Sequence, residues 1–142
     1  MDKKKYIEVN HESITCGYTR LDIIGDMLDP DQITKLLSIV PRITWKRGKT
    51  LSSKGHEIEF IDSGWELIAE NTDLTYHQQI EYWYNLLKYK TKTLKQFRKN
   101  GYKIKLNLYC FVDNYCNIYI SSELFKKLKS LGVDLTIDCF LS

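Results

Sequence analysis

Between Tyr102 and Cys110 apolar and polar positions alternate. Tyr102, Ile104, Leu106, Leu108 and Cys110 fall on one side, and Lys103, Lys105 and Asn107 on the other. A period of two marks a strand with one wet face. Val133, Leu135, Ile137, Cys139 and Leu141 alternate with Asp134, Thr136 and Asp138 in the same way, so the last strand is also covered on one side only. Elsewhere the spacing turns helical. Asp29-Pro30-Asp31-Gln32 supplies an N-cap carboxylate, a proline at the first helical position, a dipole-favoured acid and a capping-box glutamine. Ile33, Leu36, Leu37 and Val40 predict its buried stripe, and Pro41 its stop. Near the other end Ser121 predicts a cap with Glu123 in the first turn. Leu124, Phe125, Leu128 and Leu131 form that stripe, and Gly132 supplies a left-handed terminus.

Residues 21–45 and 117–140 therefore read as one repeated unit of strand, capped helix and strand. Between them a longer helix is expected over about residues 75–98. It opens on a capping box, Thr75-x-x-Gln78, carries Ile80, Trp83, Leu87, Leu94 and Phe97 at helical spacing, and ends at Asn100-Gly101. Residues 42–47 and 58–68 predict two strands joined by a Gly- and Ser-bearing loop over 48–55. Residues 6–20 form or extend the first strand, with Gly17 as a candidate bulge. The order contains two overlapping ferredoxin-like units and predicts an α+β fold. It is one mixed, mainly antiparallel sheet with three helices on one face. The open face would carry Lys103, Lys105, Asn107, Asn117, Tyr119, Thr136 and Asp138.

A chain of 142 residues with 43% hydrophobic content fits a single domain over 1–142. No apolar run approaches the roughly 20 residues of a membrane span. The opening Met1-Asp2-Lys3-Lys4-Lys5 leads into Tyr6-Ile7-Glu8-Val9 and not into a signal-peptide core. The expectation is a cytoplasmic protein with no membrane partner. Cys16, Cys110, Cys116 and Cys139 sit in apolar strand patterns, as reduced thiols used as small hydrophobes do. The net charge is +3, yet no acid occurs between Glu81 and Asp113, while Lys88, Lys90, Lys92, Lys95, Arg98, Lys99, Lys103 and Lys105 all fall there. Several lie near a helix C-terminus, where cations complement the macrodipole, so a solvated face explains them better than nucleic-acid binding does.

Candidate chemistry is sparse. His11, His56 and His77 are far apart in sequence and none has metal-ligand spacing. Asp26, Asp29 and Asp31 lack the glycine and terminal glutamate of a calcium loop, and capping accounts for two of them. Arg47-Gly48-Lys49 lacks the length of a P-loop. Ser52 and Ser53 lie near His56, but on a hairpin loop without an orienting third group. The expectation is no catalytic residue, no cofactor and no metal. The ten tyrosines and three tryptophans point instead toward binding. Trp45 and Trp65 are expected in the core or as cross-strand partners. Tyr82, Tyr84 and Tyr89 flank the long helix's stripe, and with Lys92, Lys95, Lys99, Arg47 and Lys49 they are the candidate partner-binding residues. The competing reading packs the rings over lysine stems.

Several segments together carry a family resemblance. They are Tyr18-Thr-Arg-Leu-Asp-Ile-Ile-Gly-Asp-Met-Leu-Asp-Pro-Asp-Gln-Ile-Thr-Lys-Leu-Leu37, Lys46-Arg47-Gly48, Ser63-Gly64-Trp65-Glu66-Leu67 and Leu128-Lys-Ser-Leu-Gly-Val-Asp-Leu-Thr-Ile-Asp138. In order and spacing they resemble the bacterial family called domain of unknown function 4279, over nearly the whole chain. The resemblance implies a small cytoplasmic α+β protein and carries over no catalytic residues. By analogy with small single-domain proteins of this kind, the expected function is an immunity or inhibitor protein that binds a cognate toxin. The alternative is an RNA-binding module using the open sheet face and the lysine-rich helix end, although the aromatic signature of the common RNA-binding fold is absent. Edge strands of such a sheet could pair two copies, but the sequence sets no oligomeric state.

Overall fold

The computed structural model describes residues 17–69, 74–112 and 117–141. The chain runs β1 (Gly17–Gly25), α1 (Pro30–Leu37), β2 (Ile43–Trp45), β3 (Gly48–Leu51), β4 (Glu57–Phe60), β5 (Ser63–Ile68) and α2 (Tyr76–Leu87). A 3-10 turn (Lys88–Lys90) follows, then α3 (Thr91–Lys99), β6 (Lys103–Val112), α4 (Ser122–Leu131) and β7 (Asp134–Leu141). Five strands form a mixed sheet in the order β2-β5-β1-β6-β7, antiparallel except for β6 with β7, and β3 pairs with β4 in a separate ribbon. The fold is α+β. Residues 6–16, with His11 and Cys16, and Cys116 lie outside the described residues.

The period-two reading holds where the sheet is deepest. Leu21 and Ile23 of β1, Trp65 of β5, and Ile104, Leu106 and Leu108 of β6 are buried beneath the helices. Ile33 and Leu37 of α1, Ile80, Trp83 and Leu87 of α2, Leu94 and Phe97 of α3, and Leu124, Leu128 and Leu131 of α4 close on them from the other side. Polar side chains lock these layers. The Trp65 indole N–H donates to Thr34 Oγ1 of α1 at 3.1 Å, and that of Trp83 donates to Thr19 Oγ1 of β1 at 2.8 Å. Among the described residues no helix is long and apolar enough to cross a membrane.

The helix termini follow the sequence closely. Asp29 accepts the Asp31 N–H at 3.1 Å, Thr75 and Gln78 close a capping box, Ser121 accepts the Leu124 N–H at 3.1 Å, and Gly132 is left-handed with φ 68°. The stripes are shorter than expected. α1 ends at Leu37 because Ser38 turns left-handed with its N–H on the Thr34 carbonyl. That leaves Val40 beyond the helix and exposed; Leu36 on α1 and Phe125 on α4 are half exposed as well. The long helix is broken. Thr91 Oγ1 bonds the Lys88 carbonyl at 3.2 Å, a local alternative to the regular helical ladder, and the segment between Leu87 and Leu94 has no buried anchor.

Three strand expectations change. Residues 58–68 are two strands, with a switch held by side chains: Asp62 accepts the Trp45 indole N–H at 3.2 Å and Ser63 Oγ accepts the Arg47 N–H at 2.9 Å. Gly48–Leu51, expected within a loop, is a strand of the ribbon. Residues 117–120 form no strand, because they are engaged by the helices: Ile118 and Ile120 pack on the core and Tyr119 stacks on His77 of α2 with ring centroids 6.0 Å apart. Tyr119 and Asn117 therefore do not lie on the open sheet face. The second repeat lacks its own first strand, and β6 leads through α4 into β7 as a parallel crossover.

Gly17 is not a bulge, since the β1–β6 register runs unbroken from Gly17 opposite Cys110. It is a close approach: a Cβ there would stand 1.8 Å from the Tyr109 carbonyl oxygen, which also accepts the Tyr76 hydroxyl at 2.8 Å. Gly64 is similar, with the Trp45 ring seated where its Cβ would be. Trp65 is core and Trp45 is a cross-strand partner, as expected. Cys110, buried, and Cys139, exposed, stand opposite each other on the adjacent strands β6 and β7.

Candidate functional site

The sheet face turned away from the helices has two halves. At one end the rings of Tyr18, Tyr109, Phe111 and Phe140 form a stacked ladder across β1, β6 and β7. Tyr18 and Tyr109 are 4.9 Å apart between centroids, Tyr109 and Phe140 6.2 Å, and Phe111 and Phe140 5.6 Å. The strands put them there, since Tyr18 is opposite Tyr109 and Phe111 opposite Phe140 in register. Phe111 and Phe140 remain 51% and 47% exposed, so the ladder ends in an apolar patch open to solvent.

The other half is a charge network. Asp22 and Glu66 are direct cross-strand neighbours on β1 and β5, an arrangement that repels unless cations bridge it. Arg20 is the bridge: Nε and Nη2 donate to Asp22 at 2.9 and 2.8 Å, and Nε lies 3.2 Å from Glu66 Oε1. Arg42 takes the other Glu66 oxygen at 3.2 Å. Asn107 donates to Asp22 Oδ2 at 2.9 Å and accepts from the Thr136 hydroxyl. Asp22 and Glu66 are thereby only 4% and 7% exposed, although they sit on the face without helices. Arg20 also joins the two halves, its guanidinium 4.9 Å from the Tyr109 ring centroid.

Burial pushes the Asp22 carboxyl above its ordinary value against the opposing hydrogen bond and charge of Arg20. Burial also raises the Tyr109 phenol, with Arg20 opposing. For Arg20, burial acts downward, but the bond and charge of Asp22 outweigh it and the guanidinium is held above its ordinary value. The network sets a guanidinium against each carboxylate. Its groups bind one another and present no free carboxylate to a substrate.

The residues expected to bind a partner do not converge. Tyr82 is exposed on α2, edge-on to Trp83, and Tyr89 is exposed on the 3-10 turn with Lys88 Nζ 5.2 Å from its centroid. Tyr84 is half buried, with Lys127 Nζ of α4 5.3 Å from its centroid. Lys92, Lys95 and Lys99 line the exposed side of α3. Arg47 lies between β2 and β3 with its N–H on Ser63 Oγ, and Lys49 belongs to the ribbon, where it pairs with Glu57 across β3 and β4 at 3.3 Å.

Among groups weighed for catalysis, Ser52 Oγ accepts the His56 N–H within its turn at 3.1 Å. His77 Nε2 lies 3.2 Å from Ser121 Oγ and Nδ1 3.6 Å from Glu81. That order resembles an acid-base triad. However, 3.6 Å exceeds a hydrogen bond and Ser121 Oγ already caps α4, so the contact ties α2 to the start of α4. Among the described residues no three His, Cys, Asp or Glu side chains group to hold a metal ion.

Lys103, Lys105, Asn107, Thr136 and Asp138 lie on the open face, as the alternation predicts. The same alternation carried two positions further gives Tyr109 and Phe111, and from Asp138 it gives Phe140. Three of the four rings thus follow from periodicity, while Tyr18 and the stacking across strands need the register. Arg20, Asp22, Arg42 and Glu66 needed the register between strands distant in sequence.

A family model described as "Domain of unknown function (DUF4279)" matches residues 15–141. The chain belongs to the DUF4279 family. The matched stretch includes every residue of the ladder and the network, so both halves of the open face lie inside the DUF4279 domain. No curated protein and no solved structure matches this DUF4279 chain.

Proposed function

We propose that this chain is a non-enzymatic protein-binding domain, an immunity or inhibitor protein that neutralises a bacterial toxin in the cytoplasm by direct contact through the aromatic end of its open sheet face. The observation that carries the reading is the half-exposed ladder of Tyr18, Tyr109, Phe111 and Phe140 beside Arg20. Aromatic side chains next to arginine are the residues that dominate binding energy at protein interfaces. The rigid sheet beneath holds the rings in place, so little entropy is lost on docking. The first four sheet strands in chain order, arranged β2-β5-β1-β6, support reading the scaffold as one ferredoxin-like unit with β7 added at its side.

The test is a binding measurement against the C-terminal domain of any large secreted protein that a neighbouring gene encodes. Phe111→Ala with Phe140→Ala should weaken a stoichiometric complex at least about 30-fold, taking about 1 kcal/mol or more per ring, and leave the melting curve nearly unchanged. If the double variant binds as tightly as the parent while Tyr82→Ala or Tyr89→Ala does not, the helical surface is the interface and the reading is wrong.

The second reading, RNA binding, draws on the same rings, which could stack bases. Charge disfavours it. On the open face Arg20, Arg42, Lys103 and Lys105 are balanced by Asp22, Glu66, Asp134 and Asp138, and Lys92, Lys95 and Lys99 lie on a helix behind the sheet. Affinity for single-stranded RNA that falls steeply with salt, and falls again when those three lysines become glutamine, would overturn the protein-binding reading in its favour.

A further inference from the structure

From the outer edge of the sheet we infer that this chain forms a two-fold dimer by antiparallel pairing of β7 with β7 of a second copy, centred on Ile137. Among the described residues β7 has a sheet neighbour on one side only. It is eight residues long and pairs with β6 without a bulge from Asp134 to Leu141. Its sequence, Asp-Leu-Thr-Ile-Asp-Cys-Phe-Leu, contains no proline, lysine or arginine, the usual devices that block edge pairing. The other edge, β2, has three residues.

The occupant follows from the side chains. A two-fold axis through Ile137 sets Ile137 against itself, Leu135 against Cys139, Thr136 against Asp138 and Asp134 against Phe140. Every pair on the helix-facing side is then apolar, and no two carboxylates meet. Moving the axis one residue either way destroys this. Centred on Thr136, Asp134 faces Asp138 twice, and centred on Asp138 that residue faces itself, both repulsive. An axis on Cys139 also avoids carboxylate pairs but shortens the overlap to residues 137–141. The strand is self-complementary in one long register. That register covers Ile137, which is 49% exposed, and extends the sheet continuously through both copies.

Sedimentation velocity over a concentration series should give the mass of two chains. Ile137→Lys should raise the dimer dissociation constant by at least about tenfold, about 1.4 kcal/mol, with an unchanged melting curve for the monomer. Register is read separately: in a Cys139→Ser background, Ile137→Cys should cross-link to a covalent dimer on mild oxidation, and Thr136→Cys should not. A single-chain mass at every soluble concentration overturns the inference. So does a dimer that Ile137→Lys leaves intact, or one that cross-links through Thr136→Cys. Toxin binding through the aromatic ladder is scored independently and does not depend on the result.

Discussion

Arg20→Met is expected to lower stability by about 3 kcal/mol, because it removes the cation from between two carboxylates that the sheet register holds opposite each other. Surface ion pairs contribute far less, but Asp22 and Glu66 are almost fully covered, and methionine leaves both without the bridge while roughly preserving volume. Urea unfolding at neutral pH gives the magnitude, and Asp22→Asn placed in the Arg20→Met background should recover part of it. The pH dependence has a definite sign. Burial already raises the Asp22 carboxyl in the folded protein, so the native state holds that proton more tightly than the unfolded chain does. Its contribution to stability is present in full below the ordinary carboxylate value and is lost as pH rises through the raised folded value. Without Arg20 the folded value rises further, and the deficit of the variant should shrink as the buffer is taken down toward about pH 4. A loss below about 0.5 kcal/mol at neutral pH, or one that does not change on acidification, would show that the network is solvated.

The parts of this fold that could be read ahead are those set by neighbours in sequence. Asp29, Pro30, Thr75, Gln78, Ser121 and Gly132 act within one turn of helix, so their roles survived into the structure. The edges of elements were less legible. Ile58 to Ile68 reads as one strand because its apolar content is continuous, and only the bonds of Asp62 to Trp45 and of Ser63 to Arg47 turn the chain between ribbon and sheet. Residues 117–120 have strand-like composition, but Ser121 and Tyr119 meet His77, more than 40 positions earlier in sequence, and the segment is held against the helices. The candidate site divides the same way. Its aromatic half continues a local alternation and could have been followed further. Its charged half depends on Arg20 reaching a carboxylate on its own strand and another on β5, and on Asn107 of β6 closing the far side. Tyr82, Tyr89 and the lysines of α3 cluster in sequence, whereas the rings that share a surface come from three strands spread between Tyr18 and Phe140.

Thr19→Val should be nearly as damaging as the loss of Arg20, although it conserves shape and adds no charge. Thr19 is fully buried near the start of β1, where its hydroxyl donates to Gln79 Oε1 at 2.8 Å and accepts the Trp83 indole N–H at 2.8 Å. Gln79 is itself fully buried and spends its amide on the Leu74 carbonyl at 3.1 Å. One oxygen atom therefore satisfies two side chains of α2 in a dry layer, and it fixes the rotation of that helix on the sheet. Valine fills the space but leaves an acceptor and a donor buried without partners, each costing about 1–3 kcal/mol, for an expected total near 3 kcal/mol. Thr19→Ser keeps the hydroxyl and loses only a methyl group, so it should cost about 1 kcal/mol. Trp83→Phe leaves the Thr19 hydroxyl bonded to Gln79 but loses the indole donor and opens a cavity beside it, so its loss should be about 2 kcal/mol, between the other two. Urea midpoints of the three variants give the order, and the Trp83 indole proton, followed by NMR, should exchange faster in Thr19→Val than in Thr19→Ser. Equal midpoints for valine and serine at this position would mean that water enters to replace the hydroxyl, and that the helical layer is looser over β1 than its burial implies.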